Sequence, residues 1–239
     1  MALAYKRVLL KLSGEVLAGQ EGFGLDFDAI RNIGVQIAEV SHSGIEIGLV
    51  VGGGNFFRGK QAVDEGIERS QADYMGMLGT VINSLALQDV LEKQGIPTRV
   101  QTAIQMQEIA EPYIRRRALR HMDKGRVLIF SAGTGSPYFS TDTAAALRAA
   151  EIGASCLVKA TKVNGIYDSD PMKNPDAVLY SSLTYMEALR QRIEVMDAAA
   201  FSLCMENRIP IVVMNVLEEG RLGDFLIRGK KIGTIVSGE

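Results

Sequence analysis

The sequence predicts an α/β fold, a three-layer αβα sandwich with a mainly parallel sheet. Three observations carry this reading. Strand-like and helical segments alternate almost throughout. Several strand segments, among them VLLKL, IGLVV and RVLIF, are apolar on both faces, as buried parallel strands are. Glycine-rich loops follow the strands directly, at KLSG, VVGGG and SAGTG. Ligands in such sheets bind beyond the carboxyl ends of the strands.

The elements follow in order. Lys6 to Leu12 reads as the first strand. Leu25 to Ser43 has helical spacing through Ile30, Ile33, Ile37 and Val40, with Gly44 as its stop. Ile45 to Val51 is an apolar strand that runs straight into Gly52, Gly53 and Gly54. Asp73 to Gln94 is a long helix, ended by Gly95 and Pro97. Strands are predicted over Thr98 to Thr102 and Arg126 to Phe130, and an alanine-rich helix over Asp142 to Ile152. Cys156 to Lys159 is a short buried strand, followed by a polar loop from Thr161 to Ala177. Helices at Tyr185 to Arg192, Ala198 to Asn207 and Glu218 to Ile227 alternate with strands at Ile211 to Met214 and Ile232 to Val236. With no linker, repeat or low-complexity tract, one domain is expected over residues 1–239. A chain of this length can bury about 70–75% of its unfolded surface, so its core needs no staples.

Composition removes several function classes. Hydrophobic residues make up 47% and charged residues 23%, which is globular rather than disordered. A net charge of −2 excludes bulk attraction to nucleic acid, and the run RRRALRHMDKGR reads as a solvated helix face. No apolar run approaches the ~20 residues of a membrane span. The opening MALAYKRVLLKLSG lacks signal-peptide order, so the cytoplasm is the expected compartment. Cys156 and Cys204 cannot form a disulfide framework, and two histidines exclude a histidine-rich metal site.

Two familiar nucleotide motifs fail. Gly54 to Lys60 has Walker A spacing, but Gln61 stands where Mg²⁺ requires a hydroxyl, and no helical run is evident from Gly59. Gly133-Thr134-Gly135 follows a strand, but Tyr138 occupies the third-glycine position of a dinucleotide fingerprint.

Four other segments carry chemistry. KLSG puts the Lys11 ammonium beside free backbone N–H groups at a strand end, suited to phosphate. In VVGGGNFFRG, three glycines allow close backbone approach, and Arg58 adds a fork-shaped cation. SAGTGSPYFSTDTAA ends on a helix N-terminus, with Thr141 placed to cap it and Asp142 to hold a lysine or a metal site. KATKVNGIYDSDPMKNPDA is long for a bare connection, and long loops are often functional. Met75, Met77, Met106 and Met122 read as core filler.

Taken together in this order, the four segments resemble the amino acid kinase superfamily over essentially the whole chain. ADYMGMLGTVINSLALQD and TGSPYFST are similar to the bacterial uridylate kinases within it. The resemblance implies transfer of the γ-phosphoryl group of ATP to UMP with Mg²⁺, and assigns the metal no direct protein ligand. It implies ATP on Lys11, Leu12, Ser13, Gly14, Gly54, Arg58, Thr161, Tyr167 and Asp170. It implies UMP on Gly53, Asp73 and the run Thr134, Gly135, Ser136, Pro137, Tyr138, Phe139, Ser140 and Thr141. The acceptor would lie mainly on the N-terminal half and ATP mainly on the C-terminal half. The resemblance further implies a homohexamer activated by GTP and inhibited by UTP, with Arg99 and Arg126 as effector contacts.

The residues suit that chemistry. A phosphate monoester has its second pKa at about 6, so UMP arrives largely as a dianion and needs no general base. Catalysis then rests on positioning and charge neutralisation, with Lys11, Arg58 and Asp142 as the catalytic set. Two alternatives remain at this level: another small-molecule kinase of the same fold, and a nucleotide-sensing regulator without turnover.

Overall fold

The computed structural model describes residues 5–171 and 173–238, without the side chains of residues 60–62. Met1 to Ala4, Met172 and the Lys60 and Gln61 side chains of the motifs above therefore lie outside the described parts.

Among the described residues, nine strands form one sheet: β1 (Arg7–Leu12), β2 (Glu46–Val51), β3 (Thr98–Thr102), β4 (Glu111–Pro112), β5 (Val127–Ser131), β6 (Cys156–Thr161), β7 (Ser182–Thr184), β8 (Ile211–Asn215) and β9 (Thr234–Ser237). Their spatial order is β4-β3-β5-β2-β1-β6-β8-β9-β7. The strands from β4 to β8 in this order run parallel, and β9 is antiparallel to β8. The predicted mainly parallel sheet is what forms. The chain winds outward from β1 through β2, then crosses to the other side of β1 at β6. β1 is thus the switch point, where a parallel sheet opens a crevice beyond its strand ends.

Helices cover both faces. On one lie α1 (Gly14–Leu17), α2 (Phe27–His42), α4 (Arg69–Lys93) and α9 (Arg221–Leu226). On the other lie α5 (Arg115–Met122), α6 (Thr141–Ile152), α7 (Tyr185–Arg190) and α8 (Ala198–Glu206). α2 shows why the pattern was readable. Asp26 caps it by accepting from the Asp28 and Ala29 amides, Ile30, Ile33 and Ile37 face the core, and Gly44 leaves it at φ +91°.

Several expectations need correction. A short helix, α3 (Gly59–Asp64), does begin at Gly59. α4 starts at Arg69, one turn before Asp73, so Asp73 lies within the helix instead of opening it. α6 is capped by Ser140, which accepts from the Asp142 and Thr143 amides, and Thr141 is its first helical residue. β4 and β7 are too short for a periodicity to reveal. Met77 and Met122 are core, but Met75 is 42% exposed. It shares an open apolar face of α4 with Leu78, Ile82 and Leu85.

Candidate active site

The centre of the site is built by register. Lys11 of β1 lies directly opposite Lys159 of β6, and β1 carries both flanking strands in parallel. Like charges side by side on one face of a sheet repel. Here one carboxylate separates them. Asp142 places Oδ1 2.7 Å from the Lys11 ammonium and accepts a hydrogen bond at Oδ2 from Lys159, at 2.8 Å. Lys159 also donates to the Val195 carbonyl at 2.7 Å.

α6 reaches the lysines because its inner face is nearly all alanine. Ala144, Ala145, Ala146 and Ala149 are at most 1% exposed and let the helix settle close on the strands. Its N-terminus is held from a second side. Asp197, the cap of α8, accepts hydrogen bonds from the Ser140 and Thr143 hydroxyls and the Ala200 amide. Burial pushes the Asp142 carboxyl up, but the attraction of Lys11 and then of Lys159 outweighs it and holds the carboxyl below its ordinary range. Asp197 is likewise held low, its hydrogen bonds overcoming burial and the nearby Asp142 charge.

Two cavities flank this cluster. The first, about 200 Å³, lies between the Gly52–Gly54 loop, α4 and the Thr134–Thr141 loop. Gly53, Asp73, Phe139 and Thr141 line it, with Thr80 at its floor. Thr134 to Tyr138 and Ser140 do not. The Asp73 side chain is 15% exposed; it accepts from Arg69 at both oxygens and from the Tyr138 amide at 2.7 Å. Tyr138 itself stands at φ +72° and is 68% exposed, its ring beneath the Arg69 guanidinium. The second cavity, about 690 Å³, is lined by Lys159, Thr161, Tyr167, Asp170 and the Gln191–Val195 segment. Lys11 to Gly14 do not line it, and Gly54 and Arg58 border a third space beside Phe23 and Phe56. Gly54 also lines the first cavity and Lys11 to Gly14 line none of the three spaces, so of the residues expected on ATP only Thr161, Tyr167 and Asp170 come together in the larger one.

Two of the three glycines are there for different reasons. A Cβ on Gly53 would fall 2.4 Å from the Gly76 carbonyl oxygen, so this glycine serves the packing of the loop on α4. A Cβ on Gly54 would meet open space, so Gly54 alone of these two presents backbone to a ligand without Cβ. Beneath the loop, the Asn55 and Asn83 amides exchange hydrogen bonds at 2.9 and 2.7 Å, and Asn83 also donates to the Gly52 carbonyl. Both are at most 1% exposed. Arg58 is not free: it pairs with Glu15 at 2.7 Å on the rim.

The remaining candidates sit apart, at the β3–β4 edge. Arg99 pairs with Glu92 at 3.2 Å. Arg126 donates to His121 Nδ1 at 2.9 Å, while Nε2 of that ring lies 3.1 Å from Glu111. The sequence offered His121 no partner; the fold supplies two. Lys159 stood in the sequence at the head of the KATKVNGIYDSDPMKNPDA segment, whereas Asp197 and the Asn55–Asn83 pair escaped it. Their only signal was polar residues inside apolar segments, as with Thr80, Asn83 and Ser84 in α4.

Comparison with known proteins agrees with this geometry. The model of the amino acid kinase family matches residues 6–215. The structure of a UMP kinase from Bacillus anthracis superposes with a TM-score of 0.95 at 40% identity, covering 98% of this chain and 97% of that one. A UMP kinase from Ureaplasma parvum gives 0.92 at 38%, covering 99% and 100%. A uridylate kinase from Archaeoglobus fulgidus gives 0.71 at 26%, covering 96% and 99%. Fold, lysine–aspartate centre and family match converge, and the chain belongs to the amino acid kinase family.

Proposed function

We propose that this chain transfers the γ-phosphoryl group of ATP to UMP, giving ADP and UDP, as a step of pyrimidine nucleotide synthesis. One observation carries the reading: the Lys11–Asp142–Lys159 cluster stands between the two cavities. Lys159 lines the larger one, and Thr141, next to Asp142, lines the smaller. Two bound polyanions would meet there.

In this reading the smaller cavity takes UMP and the larger takes the adenosine part of ATP. Asp73 accepts from the ribose hydroxyls after Arg69 turns away, and the Thr134–Thr141 loop reads the pyrimidine edge. Thr161, Tyr167 and Asp170 hold the donor. KLSG and Gly54 offer backbone N–H groups to the phosphates, and Arg58 leaves Glu15 to join them. Both sites lie in one domain and each draws on both halves of the chain: Asp73 joins the Thr134–Thr141 loop at the acceptor, and KLSG, Gly54 and Arg58 join Thr161, Tyr167 and Asp170 at the donor.

Lys11 carries the central step. Charge on the transferring oxygens is distributed differently in the transition state than in bound ATP, so a fixed cation contributes differential binding. Asp142 keeps Lys11 aimed, and Lys159 fixes Asp142. UMP needs no base, which agrees with His42 at the end of α2 and His121 at the β4–α5 edge.

Mg²⁺ fits this site only as a companion of ATP. Among the described residues no group of three or more acidic, histidine or cysteine side chains is placed to hold a metal, and both Asp142 oxygens face lysines. When bound on the phosphates it would neutralise their charge.

The assignment extends to assembly and control. The open face of α4 supports self-association, and we assign a homohexamer. Arg99 and Arg126 border a separate polar edge, which we assign to effector contact, with GTP activating and UTP inhibiting. No helix among the described residues is long and apolar enough to cross a membrane. Both cysteines are free thiols, which suits the reducing cytoplasm.

The test is ADP release measured across UMP, CMP, dUMP, TMP, carbamate and amino acids. Turnover with UMP far above the others is expected. Turnover of an amino acid or carbamate but not UMP would move the chain elsewhere in its family, and nucleotide binding without turnover would make it a sensor.

A further inference from the structure

A fourth cavity, of about 480 Å³, lies behind the loop that forms the donor site. We propose that it is a second ligand site, for a small organic anion with an apolar body.

Its position is fixed by two packed glycines. A Cβ on Gly165 would fall 2.6 Å from the Thr234 hydroxyl and 2.8 Å from Leu179. A Cβ on Gly233, which stands at φ +77°, would fall 2.3 Å from the Val213 carbonyl oxygen. Thr234 is fully buried; it accepts from the Ile166 amide at 2.9 Å and donates to the Tyr180 carbonyl. The strand β9, the β6–β7 loop and the chain entering β7 are therefore locked together, and the cavity is a built recess. It backs onto the larger cavity: Asn164 lines this one, while Val163 and Gly165 line the other.

The lining sets the chemistry. Leu179, Ile232 and Ile235 give an apolar wall, as small-molecule sites have. Ser181, Ser182 and Asn164 add hydrogen-bonding groups. The charged groups are Arg221 and Lys231. Arg221 is engaged by Glu218 through Nε and one terminal nitrogen, which leaves its other terminal nitrogen outside that pair. Lys231 makes no ion pair among the described residues, whereas its neighbour Lys230 is paired with Asp224. No carboxylate among the described residues lines the cavity. An unpaired cation over an apolar wall selects a ligand with a carboxylate, sulfonate or phosphate on an aromatic or aliphatic body.

The probe is anilinonaphthalene sulfonate, an anion that fluoresces on entering an apolar site, with phenylnaphthylamine as its neutral counterpart. Full-length protein is titrated with each in the presence of saturating ATP, to fill the donor site. Saturable enhancement by the anion is expected, with weaker binding of the neutral probe. Lys231→Glu, on an exposed side chain, should weaken the anion about tenfold, the scale of one charge-assisted contact. Ser182→Trp should fill the recess and abolish the signal, with circular dichroism confirming that both variants are folded. Displacement by ATP would overturn the proposal by placing the probe in the donor site. Titrations unchanged in both variants, or a neutral probe binding as tightly as the anion, would overturn it as well.

Discussion

Lys11 meets Asp142 with their side chains 10% and 14% exposed, whereas Arg58 meets Glu15 at 51% and 41%. Both are lysine- or arginine-to-carboxylate pairs beside the same crevice. The buried pair is part of the sheet: register sets its two lysines, alanine packing sets the carboxylate, and its electrostatics act in a medium that screens little. The rim pair is screened, and such pairs are worth about 0–1 kcal/mol. Arg69 on Asp73 is of the rim kind, with Arg69 52% exposed. The difference separates two jobs. The centre is assembled before substrate arrives, while the rim holds its cations on local carboxylates until a phosphate or ribose replaces them.

Substitutions can break this contrast. The largest effect on folding belongs to the centre. Asp142→Asn leaves two neighbouring ammonium groups without their shared counter-charge, and losing one partner of a buried charge cluster costs about 3–5 kcal/mol. Chemical denaturation should show that loss; a change within about 0.5 kcal/mol, as at ordinary surface sites, would mean the cluster is not a unit.

Arg58→Ala should leave the melt nearly unmoved and weaken catalysis by about 1.5–3 kcal/mol, the scale of one charge-assisted phosphate contact. A severely lowered melting temperature with unchanged activity per folded molecule would make Arg58 structural. Asp73→Asn should be milder. An amide accepts from ribose hydroxyls less well than a carboxylate, so the KM for UMP should rise while that for ATP stays. Equal changes in both would leave Asp73 only an anchor for Arg69 and the Tyr138 amide.

The smallest effect is in pH. Because Asp142 is held below its ordinary range, its contribution to stability is fully present above the unfolded carboxylate value of about 3.9. It is lost as pH falls through the lower folded value. The stability gap between wild type and Asp142→Asn should therefore be constant from neutral pH down to about 5 and close below about 4. A gap that closes on the alkaline side would contradict the sign.

What was legible follows the same divide. Lys11, the glycine loop and Asp142 announced themselves as charge or glycine at strand and helix ends. Lys159 read as the last residue of a short strand, because a sequence does not disclose that position 159 lies opposite position 11. Asp197 was invisible for a similar reason: its partners Ser140 and Thr143 are more than fifty residues away. The helix period of α2 was clear because one face is buried. That of α4 was blurred, because its outer face carries Tyr74, Met75, Leu78 and Ile82 in the open. Apolar character there did not mean core.

The central claim is that phosphoryl transfer occurs at the buried centre, with UMP held independently of it. Its most direct test is Lys11→Ala, measured by calorimetric titration with UMP and by steady-state turnover at saturating ATP and Mg²⁺. UMP affinity should change little, while kcat should fall by about 10²–10³, as when a preorganised charge-stabilising group is removed. Turnover within a few-fold of wild type would show that Lys11 is a structural partner of Asp142 and that the reaction centre lies elsewhere, with Lys159 the next candidate.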